Sequence, residues 1–358
     1  MGIERINVTK TYLPPLDQFM PYLEEIWESG WVTNHGKMVL SLESELKSYL
    51  QAENLYLVTN GTLALQIAIR VLELENKDVI TTPFSYVATI NSLLWEKSNP
   101  ILVDIDPKTL NIDINKIKDH ITDNTKAILA VHVYGYPAPL IEISKIAKEY
   151  NLKIIYDAAH AFGTTFEGNH LSFFGDITCY SFHATKPYHC IEGGALVVKN
   201  PEVGDKINWM RRFGHLNDEY FGLGINAKLS ELHAAMGLLN LKAFDHLISL
   251  RRRIWELYDQ KLYIKNKFKA NFEKIHYNYA YYPFLFEDEK SCMQKLDLLH
   301  QENIYPRRYF YPGLNNLPHF KALALINSDR ISKSVLCLPL FEELDPKIQN
   351  RICDLVLT

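Results

Sequence analysis

Residues 181–194 read Ser-Phe-His-Ala-Thr-Lys-Pro-Tyr-His-Cys-Ile-Glu-Gly-Gly. Lys186 follows the mostly apolar run Ile177 to Phe182, and the hydroxyl residue Ser181 stands five positions before it. A lysine held at a strand end inside a site can shed its proton and attack an aldehyde to form a Schiff base. Most lysines are solvated surface charges, so Lys186 gains weight only from residues elsewhere. The Gly193-Gly194 pair reads as a turn that leads into a strand, Ala195-Leu-Val-Val.

Three further places carry candidate chemistry. Thr59-Asn60-Gly61-Thr62 falls between a strand pattern and a helix pattern. Glycine permits close backbone approach there, and the free N–H groups of a helix start favour a phosphate, although a capped helix start alone would look the same. Asp157 ends the run Ile154-Ile155-Tyr156 and opens Asp-Ala-Ala-His160. A carboxylate at the carboxyl end of a parallel strand faces the crevice where α/β ligands bind; it could equally cap the next helix. His160 would lie about one turn on. Tyr86, in Pro83-Phe-Ser-Tyr-Val-Ala-Thr89, could stack on a planar ring. With 21 tyrosines in the chain, composition alone does not single it out.

These residues need a scaffold that brings strand ends together. Helical periodicity is expected over Leu42–Leu50, Thr62–Leu72 and Tyr86–Trp95. Strands are expected at 55–58, 78–83, 101–104, 127–131, 153–156, 178–182 and 195–198. Near-continuous apolar strands separated by helices predict a largely parallel sheet covered on both faces. A long helix from Leu229 to about Tyr263, a strand-like aromatic region at Ile275–Phe286 and a helix near Met293–Glu302 predict a smaller α/β part after it.

With 358 residues the chain can hold two domains, and 22% charged residues are ordinary for a globular protein. The net charge of −4, with no basic block, argues against nucleic acid. The opening Met1-Gly-Ile-Glu-Arg-Ile-Asn lacks the apolar core of a signal peptide, and no run is long enough for a bilayer. A cytoplasmic protein with no membrane partner is therefore expected. Five widely spaced cysteines and scattered histidines predict reduced, buried thiols and no metal site.

Taken together and in order, six stretches resemble the DegT/DnrJ/EryC1/StrS family of sugar aminotransferases. They are Thr-Asn-Gly-Thr (59–62), Thr-Pro-Phe-Ser-Tyr-Val-Ala-Thr (82–89), Val-Asp-Ile-Asp-Pro (103–107), Val-His-Val-Tyr-Gly (131–135), Asp-Ala-Ala-His (157–160) and Ser-Phe-His-Ala-Thr-Lys (181–186). The resemblance runs from about Pro14 to Leu340. It implies the pyridoxal phosphate-dependent transferase fold type I, aspartate aminotransferase-like. A large, mostly parallel α/β domain at 1–235 would bind the cofactor, with a smaller C-terminal α/β domain at 236–358.

The same resemblance implies roles. Lys186 would form the Schiff base with pyridoxal 5′-phosphate and carry the mobile proton. Asp157 would partner the pyridine nitrogen, His160 the phenolic oxygen, and Tyr86 would stack on the ring. Gly61, Thr62 and Ser181 would cradle the phosphate, and Asn226 in Gly224-Ile-Asn-Ala-Lys would reach it from a second subunit of a homodimer. For the substrate the candidates are Thr33, Asn34, His183, Arg307, Tyr309 and Tyr311. Arginine would suit a diphosphate and aromatic faces a base or sugar. The Ala-Thr-Lys spelling, with Leu13-Pro-Pro-Leu-Asp and Trp31-Val-Thr-Asn, points to the branch that aminates a dTDP-linked 4-keto-6-deoxyhexose with L-glutamate as donor. A 3-keto sugar and a UDP- or GDP-sugar stay open. Dehydratase relatives replace the lysine by histidine, so Lys186 favours transamination. A cofactor-binding protein without turnover is the alternative from another class.

Overall fold

The computed structural model describes residues 5–269 and 271–358. Its centre is a seven-stranded sheet: β1 (Asn54–Val58), β2 (Asp78–Thr81), β3 (Asn99–Leu102), β4 (Thr125–Val131), β5 (Lys153–Asp157), β6 (Ile177–Ser181) and β7 (Gly194–Val198). The spatial order is β1-β7-β6-β5-β4-β2-β3. Strand β7 is antiparallel to both neighbours, and the other pairings are parallel. The six parallel strands therefore end at one edge of the sheet, and β7 begins there. Gly194 pairs with both Val58 and Ser181 at that edge.

Burial on both faces explains why the strands read as continuous apolar runs. In β4, Leu129 packs into one core cluster with Val58 and Ile155, whereas its neighbour Ile128 joins another with Leu57 and Ile154. Helices Gly61–Val71 and Val87–Trp95 carry the chain from β1 to β2 and from β2 to β3. Each expected strand of this sheet forms within about two residues of its predicted span.

Beyond the sheet, one unbroken helix, Glu231–Leu262, runs across the expected domain boundary. The aromatic region 275–286 departs from expectation. Only Ile275–His276 and Tyr282–Leu285 are strands, and the second pairs antiparallel with Val335–Leu338. Residues 277–281 leave strand geometry because side-chain bonds hold their backbone. Arg251 donates to Tyr279 O and Ala280 O at 3.0 and 2.9 Å, and Asn278 donates to His160 O and Phe162 O at 2.8 and 2.9 Å. The segment is apolar because it packs beside the sheet edge, not because it extends a sheet.

Candidate active site

Lys186 sits in the loop after β6. That loop is pinned by backbone bonds from Ala184 N to Ile191 O (2.7 Å) and from Lys186 N to His183 O (2.9 Å). The N-terminal segment fastens it from outside, with Thr11 Oγ1 donating to Ala184 O at 3.0 Å and Tyr12 O 2.8 Å from His189 Nε2. Lys186 is half-buried overall. Its ammonium still sits far enough inside for desolvation to lower it from 10.5 to about 8, against the opposing pull of Asp157. Near physiological pH a far larger share of the amine is therefore neutral than in an ordinary lysine, and the neutral form is the one a nucleophile or proton carrier uses.

Asp157 ends β5 and is 5% exposed. Thr89 Oγ1 donates to its Oδ2 at 2.7 Å, Ala159 N–H donates to Oδ1 at 3.1 Å, and Ser85 stands 2.7 Å behind Thr89. Burial nevertheless raises the carboxyl above its ordinary value. The bonds from Thr89 and Ala159 and the charge of Lys186 lower it only in part. His160, 7% exposed, lies parallel to Phe310 at 5.5 Å, and burial drives it well below 6.5. Its Nδ1 is buried without a hydrogen-bond partner.

The turn after β1 builds an anion cradle. Asn60 caps helix Gly61–Val71 through Oδ1, which accepts from Leu63 N–H at 2.8 Å. The first amides of the helix, Gly61 and Thr62, are left without intrahelical acceptors beside Ser181. Two glycines make the approach possible. A Cβ on Gly61 would stand 2.8 Å from Ser181 Cβ, and one on Gly194 would meet Asn60 C and O at 2.6 and 2.7 Å. The Gly193-Gly194 pair is thus not a turn. Gly194 opens β7, and these residues are glycine because backbone and Cys190 Sγ crowd them.

A cavity of about 390 Å³ joins these parts. Gly61, Thr62, Tyr86, Asp157, His160, Ser181, His183, Lys186, Arg307 and Tyr309 all border it. Tyr86, 58% exposed, precedes helix Val87–Trp95 at the cavity wall. The remaining candidates lie elsewhere in this chain. Asn34 borders a separate cleft with Arg212 and Lys228, and Thr33 beside it is exposed. Asn226 is exposed and accepts from Lys228 Nζ at 2.7 Å. Tyr311 lies under the Arg308 guanidinium, 3.5 Å from its ring centroid, outside the cavity. Sequence reasoning missed Thr89, which holds Asp157, and Glu192 and Tyr281, which border the cavity. Thr89 stood within a quoted motif, but nothing local marked its bond to a residue 68 positions away.

A buried carboxyl raised by desolvation, an unpartnered imidazole nitrogen, a helix N-terminus and a lowered lysine suit a planar aldehyde that carries a ring nitrogen, a phenolic oxygen and a phosphate. Comparison with known proteins places this chain among the aminotransferases. The model of the DegT/DnrJ/EryC1/StrS aminotransferase family matches residues 16–357, and the chain belongs to that family. It is a pyridoxal phosphate-dependent enzyme of the sugar-nucleotide aminotransferases. The dTDP-4-amino-4,6-dideoxy-D-glucose transaminase of Shigella dysenteriae is 40% identical over 360 residues, 97% of each chain. The Escherichia coli protein of the same name is 38% identical, covering 100% of this chain and 99% of its own. DesI, solved in the presence of its TDP-sugar product, matches with a TM-score of 0.92 at 28% identity, covering 99% of this chain and 92% of that one. Among the described residues no helix is long and apolar enough to cross a membrane.

Proposed function

We propose that this enzyme takes the amino group of L-glutamate and delivers it to C4 of dTDP-4-keto-6-deoxy-D-glucose, giving dTDP-4-amino-4,6-dideoxy-D-glucose. One observation carries the reading: likeness over essentially the whole chain to two transaminases of that name. A cytoplasmic role in supplying a surface polysaccharide such as O-antigen follows from that product.

The residues divide the work. The amides of Gly61 and Thr62 with the Ser181 hydroxyl would hold the cofactor phosphate. Asp157, oriented by Thr89 and Ala159, would face the ring nitrogen, His160 Nδ1 the phenolic oxygen, and Tyr86 would cover the ring. Pyridoxal phosphate, when bound, supplies the electron sink that lets a carbon beside nitrogen lose and regain a proton. Lys186 Nζ takes and returns that proton. Arg307, Tyr309 and His183, at the same cavity, are the substrate contacts this reading assigns, with Thr33, Asn34 and Tyr311 outside it in the single chain.

A homodimer completes the site on this reading. Asn226 does not border its own cavity. Burial and Arg212 lower the neighbouring Lys228 ammonium, so an anion brought by a second copy is welcome there. Exposed Phe213, Tyr220, Phe221, Leu223 and Ile225 flank it, an apolar surface of the kind a partner chain covers. Residues 1–235 would form the cofactor-binding domain and 236–358 the smaller one.

The test is incubation with glutamate and a set of nucleotide keto-sugars, with products identified by NMR and kcat/KM compared. Preference for a 3-keto sugar or for a UDP- or GDP-sugar would replace the substrate and leave transamination standing. No transfer to any keto-sugar would revive a binding protein without turnover.

A further inference from the structure

Tyr281 lies 95 residues from Lys186 in sequence, yet its phenol oxygen is 3.4 Å from Lys186 Nζ. The side chain is almost fully buried, 3% exposed, and its backbone is held firmly. The Tyr277 hydroxyl lies 3.2 Å from Tyr281 O and accepts from Tyr281 N–H at 3.4 Å. Arg251, buried and paired with Glu342 at 3.0 Å, donates to the carbonyls of Tyr279 and Ala280 just before it. The ring packs edge-on against Tyr309 at 5.2 Å and tilted against Tyr134 and His160 at 5.7 and 4.9 Å. If packing were all the site needed, phenylalanine would serve. The single polar atom of this ring meets the lysine amine.

We propose that Tyr281 is a positioning residue for Lys186: its hydroxyl holds the amine at the cavity in both protonation states of the proton cycle. The proposal rests on the reading of Lys186 as the cofactor lysine. A phenol can donate to a neutral amine and accept from an ammonium, so one group serves before and after the proton moves. Burial pushes the Tyr281 hydroxyl well above 10, so it stays protonated and is not itself the base. The other groups facing Lys186 are Asp157 and His160; those facing Tyr281 are Tyr309, Tyr277, Cys337 and Arg251. None of them offers Nζ a second neutral hydroxyl. Because the bond to the ammonium is charge-assisted and the stronger of the two, its loss favours the free amine.

The experiment compares wild type, Tyr281→Phe and Tyr277→Phe as full-length enzymes. Borohydride reduction of each holoenzyme and peptide mapping first locates the cofactor; attachment away from Lys186 would refute the underlying site reading. Amine-reactive labelling of Lys186 in the cofactor-free enzymes between pH 6 and 10, read by mass spectrometry, then gives the titration midpoint. Tyr281→Phe is expected to move that midpoint down by about one unit and to lower kcat about tenfold, with KM for the nucleotide sugar within about twofold. Tyr277→Phe, which removes a hydroxyl bonded to the Tyr134 and Tyr281 backbone and not to Lys186, should leave the midpoint in place. An unchanged midpoint in Tyr281→Phe overturns the proposal, whatever kcat does, and so does a shift without a fall in kcat. An equal shift in Tyr277→Phe would assign the effect to the backbone and overturn it too.

Discussion

Replacing Thr89 by valine tests how Asp157 is kept fit to face a ring nitrogen. The change keeps the side-chain shape and removes one donor, the hydroxyl 2.7 Å from Asp157 Oδ2. A hydrogen bond to a charged group contributes about 1.5–3 kcal/mol, so cofactor affinity or kcat should fall roughly 10- to 150-fold. The direction of the pH effect follows from the same bond. Thr89 lowers a carboxyl that burial raises, so without it the carboxyl rises further. The acid limb of kcat/KM should then move to higher pH, because more of Asp157 is protonated at a given pH. Thr89→Ser, which keeps the donor, should stay within about threefold of wild type. The measurements are cofactor titration by absorbance and kcat/KM from pH 5 to 9. If Thr89→Val leaves both the affinity and the acid limb where they were, Asp157 is not tuned by this bond.

Gly194→Ala should weaken cofactor binding far more than it weakens the fold, since its Cβ would press on the Asn60 backbone at 2.6–2.7 Å and displace the cradle; unchanged affinity would refute the tight approach. Mixing Lys186→Ala with an Asn226→Ala variant should restore part of the activity, because one of the two sites in a mixed dimer holds both native residues. Proven heterodimers without recovered activity would remove Asn226 from the partner's site. Asp157→Asn should lose turnover yet leave the cofactor-free protein at least as stable as wild type at pH 7. The raised carboxyl contributes stability below its unfolded value of 3.8 and loses it as pH rises through the folded value. Thermal melts from pH 4 to 7 should show the variant gaining on wild type, and a variant less stable at pH 7 would refute this.

What was legible in the chain was whatever local spelling carries. The alternation of apolar runs and helical stretches predicts the central sheet because each strand is buried on both faces. Lys186, Asp157 and the Gly61 turn are legible because each ends a strand or closely follows one, and strand ends converge at one edge. The failures share a cause in distance. Thr89 and Tyr281 act on residues 68 and 95 positions away, and no pattern near either marks the partner. Gly193-Gly194 resembles a turn in sequence because glycine can signal either a positive φ or a close approach, and only the neighbours tell them apart. The 277–281 segment resembles a strand because apolar periodicity reports burial, not the bonds from Arg251 and Asn278 that bend it. Asn226 is a different case: what it meets depends on a second chain, which no reading of one chain's neighbours supplies.

Lys186, His160 and Asp157 at the cavity all drift toward their neutral forms: Lys186 and His160 fall, and Asp157 rises, each chiefly through desolvation. Such a cavity holds its unpaired charges poorly. The same property would make it a good host for pyridoxal phosphate, whose groups would answer each misfit in turn. A protonated ring nitrogen beside Asp157 would pull its carboxyl back down, since an opposite charge nearby favours the ionised form. A phosphate would meet the open amides of Gly61 and Thr62, where the helix dipole already favours an anion. The lysine needs no counter-charge, because a neutral amine is the form that reacts. Desolvation therefore prepares the nucleophile and, by the same cause, leaves the carboxylate waiting for its cation. Selection for the cofactor and activation of the lysine are two consequences of one buried edge.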